Sequence, residues 1–253
     1  VKDEISTRAV IGGIAINPEA QTTTVYTASG NGSPYTAILT QLATGLQTQG
    51  QQVTVEELAP LSENDPQGAG IAVLGLPLAF GGMISAALLT LLLKGHSWRK
   101  LIGSLAISII AGFVVTGIMY YGYNLFSAES SFWAISATIS LGIAATSLLV
   151  TGLGALIGIP GVGLGAILTI FIANPLSGLA TGWWWLPKPW GIIGQYLPIG
   201  ATGDLLRSAA FFDGNGGTRS LAVLACWAII GAIFIISSSF LRKNISEKEA
   251  AAA

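Results

Sequence analysis

His96 and Cys226 are each the single residue of their kind in 253 positions, which removes most catalytic chemistry at the outset. A zinc site needs several thiolates and imidazoles converging on one point, and one of each does not make a set. A serine nucleophile would need His96 as its base, yet His96 stands in the basic run Lys94-Gly95-His96-Ser97-Trp98-Arg99-Lys100. Cys226 lies in an apolar stretch, has no disulfide partner and reads as a small packing residue. The sequence has no P-loop, so it does not bind and hydrolyse ATP in that way. Gly161-Val162-Gly163-Leu164-Gly165-Ala166 has the outline of a dinucleotide loop, but it opens an apolar run without a βαβ context. Gly154 with Gly158, and Gly161 with Gly165, are better read as close helix packing at a four-residue spacing. No catalytic, cofactor-binding or metal residues are expected, and the chain reads as a non-enzyme.

The remaining candidates have structural chemistry. Asn174 brings amide donors and acceptors to the end of an apolar run, where Pro175 removes a backbone donor. Asp204 and Arg207 stand at i and i+3 on a short amphipathic helix over 201–211, a spacing that lets them pair. Trp183, Trp184, Trp185 and Trp190 fall within eight residues, as an aromatic belt at a membrane–water interface does. Trp98, Arg99 and Lys100 are expected to meet a cytoplasmic partner.

The elements that position these residues follow from composition. Charged residues are 9% of the chain and hydrophobic ones 52%, with mean hydropathy +0.69. An ordinary soluble domain carries about 25% charge. From Ser130 to Pro187 there is no ionisable side chain at all. The reading is an α-helical polytopic membrane protein with a small α+β external domain. Five spans are expected at about 71–93, 101–121, 132–159, 161–176 and 221–241, the third and fourth separated by Pro160-Gly161. Their interiors lack Asp, Glu, Lys, Arg and His, which argues against a self-contained proton-coupled pump. Thr116, Thr138, Ser140, Thr146, Ser147, Thr151 and Thr169 are expected mostly to bond to their own helix backbone.

Positions 1–67 read as the external domain, with strands over 9–16, 22–28 and 51–58. A helix over 34–48 follows Ser33 as N-cap, and Gly30-Asn31-Gly32 makes a turn. Positions 68–253 form the transmembrane domain, in which 177–220 is an external interfacial or re-entrant segment. Placing Lys94, Arg99, Lys100, Arg242, Lys243 and Lys248 inside leaves Lys2, Arg8, Lys188, Arg207 and Arg219 outside. The carboxyl terminus is then cytoplasmic. An external domain with no span ahead of it has no route across, so a sixth span upstream of Val1 is expected.

Glu57-Leu58-Ala59-Pro60-Leu61 with Asp65-Pro66 precedes the first span; Asn174-Pro175-Leu176-Ser177-Gly178 ends the fourth. Leu197-Pro198-Ile199-Gly200-Ala201 then runs into Asp204-Leu205-Leu206-Arg207. In this order the chain resembles the phage infection protein (Pip)-like branch of type-2 ABC transporter permeases. The resemblance implies six spans with an external domain between the first and second. It departs from the family at the loop 94–100, where seven residues make about two helical turns, a small platform for an ATPase. The expected function is a permease-like subunit exporting a hydrophobic or amphipathic substrate from a bacterial plasma membrane. Its expected partners are the bilayer, a separate ATPase or larger membrane complex, and a second copy, with no cofactor and no nucleic acid. The alternative is a non-transporting accessory or scaffold subunit of a cell-envelope complex.

Overall fold

Positions 22–27 read Thr-Thr-Thr-Val-Tyr-Thr, mostly β-branched, and every second residue there is buried, as on a half-covered strand. In the computed structural model, α1 (Lys2–Ser6), β1 (Gly13–Asn17), β2 (Thr22–Thr27), α2 (Ser33–Thr48) and β3 (Gln52–Glu57) build a small α/β unit. The sheet order is β1-β2-β3, with β2 antiparallel to β1 and parallel to β3, so α2 serves as the crossover. The first strand starts at Gly13, later than the expected 9–16. Arg8 has φ +61°, a left-handed turn that interrupts extended backbone, and bends follow it. The Ser33 hydroxyl donates to the Gln67 carbonyl instead of capping α2. The structure describes residues 1–127 and 130–252, with side chains as far as 241. Positions 128 and 129 of the polar stretch before α6, and the side chains of Arg242, Lys243 and Lys248 used for orientation, lie outside that description.

The rest is mostly helical: α3 (Ala69–Val73), α4 (Gly75–Leu92), α5 (Ser97–Gly117), α6 (Phe132–Ile157), α7 (Ile159–Ala166), α8 (Trp190–Gly194), α9 (Pro198–Phe211) and α10 (Thr218–Ala252). π-helical turns extend α5 through Ile118–Gly122 and α7 through Ile167–Ala173. Among the described residues, four stretches are long and apolar enough to cross a membrane: Ala69–Leu92, Ser97–Gly122, Phe132–Ile157 and Thr218–Leu241. These support a membrane protein. The segment expected as a span over 161–176 is the shorter helix Ile159–Ala173. At 1.5 Å per residue it reaches about 22 Å, against a hydrocarbon core of about 30 Å. Gly158, at φ +72°, ends α6, and Pro160 sits in the first turn of α7, so the chain reverses there.

α6 is the centre of the bundle, buried almost throughout from Ile135 to Ala155 and in contact with α4, α5, α7, α9 and α10. Small residues make this possible, because they let neighbouring backbones approach. At the α10 crossing, a Cβ added to Gly231 would lie 2.5 Å from Leu149 N. At the α4 crossing, one added to Gly82 would lie 2.7 Å from Thr146 Cγ2. Gly154, Gly161 and Gly165 do pack closely, whereas Gly158 makes the turn. Thr116 and Thr169 donate to carbonyls of their own helices, as expected. Other hydroxyls bridge helices: Ser85–Ser147 at 3.0 Å, Ser104–Thr151 at 3.2 Å, and Ser140 to the Ile109 carbonyl at 3.4 Å. Each is worth about 0.6 kcal/mol in a membrane setting.

The α/β unit packs at the end of the bundle where α3 and α10 begin and α5 finishes; Ser62 Oγ donates to the Asn124 carbonyl there at 2.6 Å. This is called the sheet end. The turn over 93–96 and the contact of Ser97 with Ser238 mark the far end.

A Gly231→Val substitution is expected to push α10 off α6, costing about 1–3 kcal/mol by overpacking. Gly163 is exposed with open space at its Cβ, so Gly163→Ala is expected to be neutral. Thermal unfolding of both variants in the same detergent checks this.

Candidate functional site

Four loops and helix starts converge at the sheet end on a set of buried polar groups. Arg8 comes from the turn after α1, Gly30 and Asn31 from the short 3-10 turn after β2, Asp204 and Arg207 from α9, and Ser220 from the first turn of α10. Arg8 donates from Nη2 to Asp204 Oδ1 at 2.7 Å and from Nη1 to the Asp204 carbonyl at 3.0 Å. Its Nε reaches Asn31 Oδ1 at 3.4 Å. The two side chains are only 3% and 8% exposed. The Ser220 hydroxyl donates to Asp204 Oδ2 at 2.7 Å, so both carboxylate oxygens are engaged.

The expected ion pair between Asp204 and Arg207 is therefore not the one formed. Arg207 turns the other way, donating to the Gly30 carbonyl at 3.0 Å and the Leu179 carbonyl at 2.7 Å. Burial lowers its pKa, to about 10; the charge of Arg8 pushes the same way, while Asp204 and Tyr35 oppose. A lowered cation pKa means the folded state disfavours the charged form. Keeping Arg207 charged in its buried place therefore carries a penalty at neutral pH, relieved only as the pH rises past about 10. Tyr35 is buried beside it, and burial raises its phenol pKa.

The four tryptophans divide into two pairs. Trp183 and Trp184 stack at 4.6 Å and are half-buried. Arg219 lies over Trp183 at 5.5 Å and Arg8 over Trp184 at 6.0 Å. Trp185 and Trp190 are 51% and 53% exposed. Asn174 closes the π segment: its N–H donates to the Thr169 carbonyl at 3.0 Å, and its own carbonyl accepts from Ser177 Oγ at 2.6 Å. Its Oδ1 lies against Gly75, where an added Cβ would come within 2.5 Å. Pro175, exposed, follows directly. The two residues end the short helix beside the start of α4.

Trp98, Arg99 and Lys100 are not presented together. Trp98 is 69% exposed, and with Arg99, His96, Ile236 and Ser239 it lines a far-end cleft of about 320 Å³. Lys100 is 2% exposed and faces the bundle. On a helix, residues two apart point roughly 200° away from each other, so a surface Trp98 puts Lys100 inside. That placement removes Lys100 from any surface contact.

A groove of about 490 Å³ opens on the flank at the sheet end. Val73, Leu74 and Pro77 form one wall and Val115, Ile118 and Met119 the other, with Tyr123 and Asp65 at its mouth. Val73 is 68% and Ile118 52% exposed, so the groove faces the surroundings of the bundle. Asp65 accepts from the Ala69 and Gly70 N–H groups at 2.8 Å, capping α3.

Sequence spacing missed Arg8, Asn31 and Ser220 as site residues. The only signals were an arginine in a domain with two basic residues and a Gly-Asn-Gly turn. Among the described residues no group of three His, Cys, Asp or Glu is placed to hold a metal ion. A comparison with protein-family models finds no match, and neither does one with curated proteins.

Asp204→Asn leaves Arg8 buried without its counter-charge and is expected to destabilise by about 3–5 kcal/mol. Replacing both partners, Arg8→Met with Asp204→Leu, is expected to recover most of that loss. Unfolding midpoints of the three purified proteins check this.

Proposed function

We propose that the chain is the membrane-embedded, permease-like subunit of an export system for a hydrophobic or amphipathic substrate. The flank groove carries this reading: about 490 Å³, lined almost wholly by apolar side chains, between two helices of membrane-crossing length. A molecule with an apolar body can move into it sideways from the bilayer. A pathway bounded partly by a second copy suits this architecture better than one through the middle, because small residues and bridging hydroxyls fill the space around α6.

In this reading the sheet end faces outward, since Lys94 and Arg99 lie at the far end and Lys2, Lys188 and Arg219 at the sheet end. The short helix Ile159–Ala173 then acts as the fifth crossing, and α8 and α9 stay in the external interfacial segment. The spans hold no ionisable relay, so the energy comes from a partner chain. The turn at 93–96 is brief, which leaves Trp98, Arg99 and the far-end cleft as the contact for that partner. The dense packing of α6 favours a second reading, a scaffold subunit that moves nothing.

Val73→Trp is expected to fill the groove without disturbing the core, because Val73 is largely exposed. Cells in which this variant replaces the wild type should accumulate a lipophilic dye nearly as deletion cells do, at unchanged protein abundance. If deletion itself leaves dye retention and drug sensitivity unaltered, the export reading fails and the scaffold reading stands.

A further inference from the structure

The sheet end carries a second opening, distinct from the flank groove. A cleft of about 220 Å³ is lined by Arg8, Trp183, Trp184, Asp204, Gly216 and Arg219. We infer that it binds a phosphate-bearing anion, held by the exposed guanidinium of Arg219 against the Trp183–Trp184 stack, with the buried Arg8 adding its charge from behind.

The argument starts from charge. The cleft is lined by two arginines, Arg8 and Arg219, and one carboxylate, Asp204, with the buried Arg207 on the same helix as Asp204. Asp204 cannot serve all three cations, because Arg8 takes Oδ1 and the Ser220 hydroxyl takes Oδ2. Arg207 bonds only to the neutral carbonyls of Gly30 and Leu179. Arg219 is exposed and rests on the faces of Trp183 and Tyr196, at 5.5 and 5.8 Å. Among the described residues no carboxylate lies within ion-pair distance of it.

Geometry narrows the ligand. Guanidinium forks match tetrahedral oxyanions, and the ring faces fix the fork of Arg219 in place, so less freedom is lost on binding. The cleft is large enough for a phosphate together with the glycerol unit beside it. Two sources share that chemistry: the headgroup of an anionic phospholipid, and a free phosphate or phosphate ester. The lipid source rests on the proposed outward placement of the sheet end at the bilayer boundary; the free source does not.

The test uses the full chain, purified in detergent and stripped of lipid. Short-chain phosphatidylglycerol, short-chain phosphatidylcholine, glycerol 3-phosphate and inorganic phosphate are each titrated in by calorimetry. Arg219→Gln is expected to weaken binding of phosphatidylglycerol about tenfold, the size of one charge-assisted contact. Arg219→Lys, which keeps the charge, should lose less. Lys188→Gln removes an exposed charge nearby that does not line the cleft, and should change nothing. Preference for phosphatidylglycerol over both soluble phosphates assigns the lipid source; equal or tighter binding of the soluble phosphates assigns the free source. Binding that falls equally in Arg219→Gln and Lys188→Gln, or no phosphate binding by the wild type, overturns the site. Neither result bears on export, which the dye measurement reads independently.

Discussion

A charge buried without a counter-charge is among the costliest features a fold can carry, and the Arg8–Asp204 pair is where this protein meets that constraint. The pair is 196 residues apart in sequence and 2.7 Å apart in space. It joins the α/β unit to α9, and the Ser220 hydroxyl on the same carboxylate brings in the start of α10. Arg207 adds a second tie by donating to the carbonyl of Gly30 in the turn after β2. The Coulomb attraction alone does not offset two desolvated ions; the further donors and acceptors around them do. Small domains bury too little apolar area to stand firmly alone, so these ties fix a unit whose own core is small.

The bundle solves a different problem. Apolar helices gain little from packing on each other when lipid is equally apolar, so contact area and cross-helix hydrogen bonds must supply the difference. α6 meets this with glycine, alanine, serine and threonine, and its neighbours close in at Gly82 and Gly231. Larger apolar residues fill the core between these close approaches, as with Ile135 and Ile139, and also cover the outer faces, as with Ile110 at 63% and Phe171 at 73% exposure. Such a centre has no room for a passage, which is why the openings lie at the flank and the two ends. The flank groove lies beside the π turn after α5, with Pro77 of α4 on its opposite wall.

Much of the architecture was legible in the residues because it is local. Hydropathy marked the four long apolar helices to within a few residues, β-branched composition marked β2, and alternation marked β3. The amphipathic helix expected over 201–211 became Pro198–Phe211. Interactions between distant residues were not legible. The i, i+3 spacing of Asp204 and Arg207 named the only partner that sequence can name, while the real partner stood in a turn after α1. The tryptophan run read as one belt, yet only Trp185 and Trp190 face outward, because Trp183 and Trp184 pack beneath arginines from two other elements. Lys100 looked like part of a surface trio, but helical geometry turns it inward. The π segments have no sequence signature, so the short reach of Ile159–Ala173 could not be read from its composition.

The central claim is that the α/β unit and the α9–α10 hairpin are held as one body by the buried ion pair. Hydrogen–deuterium exchange on the wild type and an Arg8→Gln variant, both in lipid nanodiscs, tests it most directly. The account expects amides of β2, of α9 and of the first turns of α10 to lose protection together in the variant. Loss confined to α1 and β1, with α9 and α10 as protected as in the wild type, would contradict it.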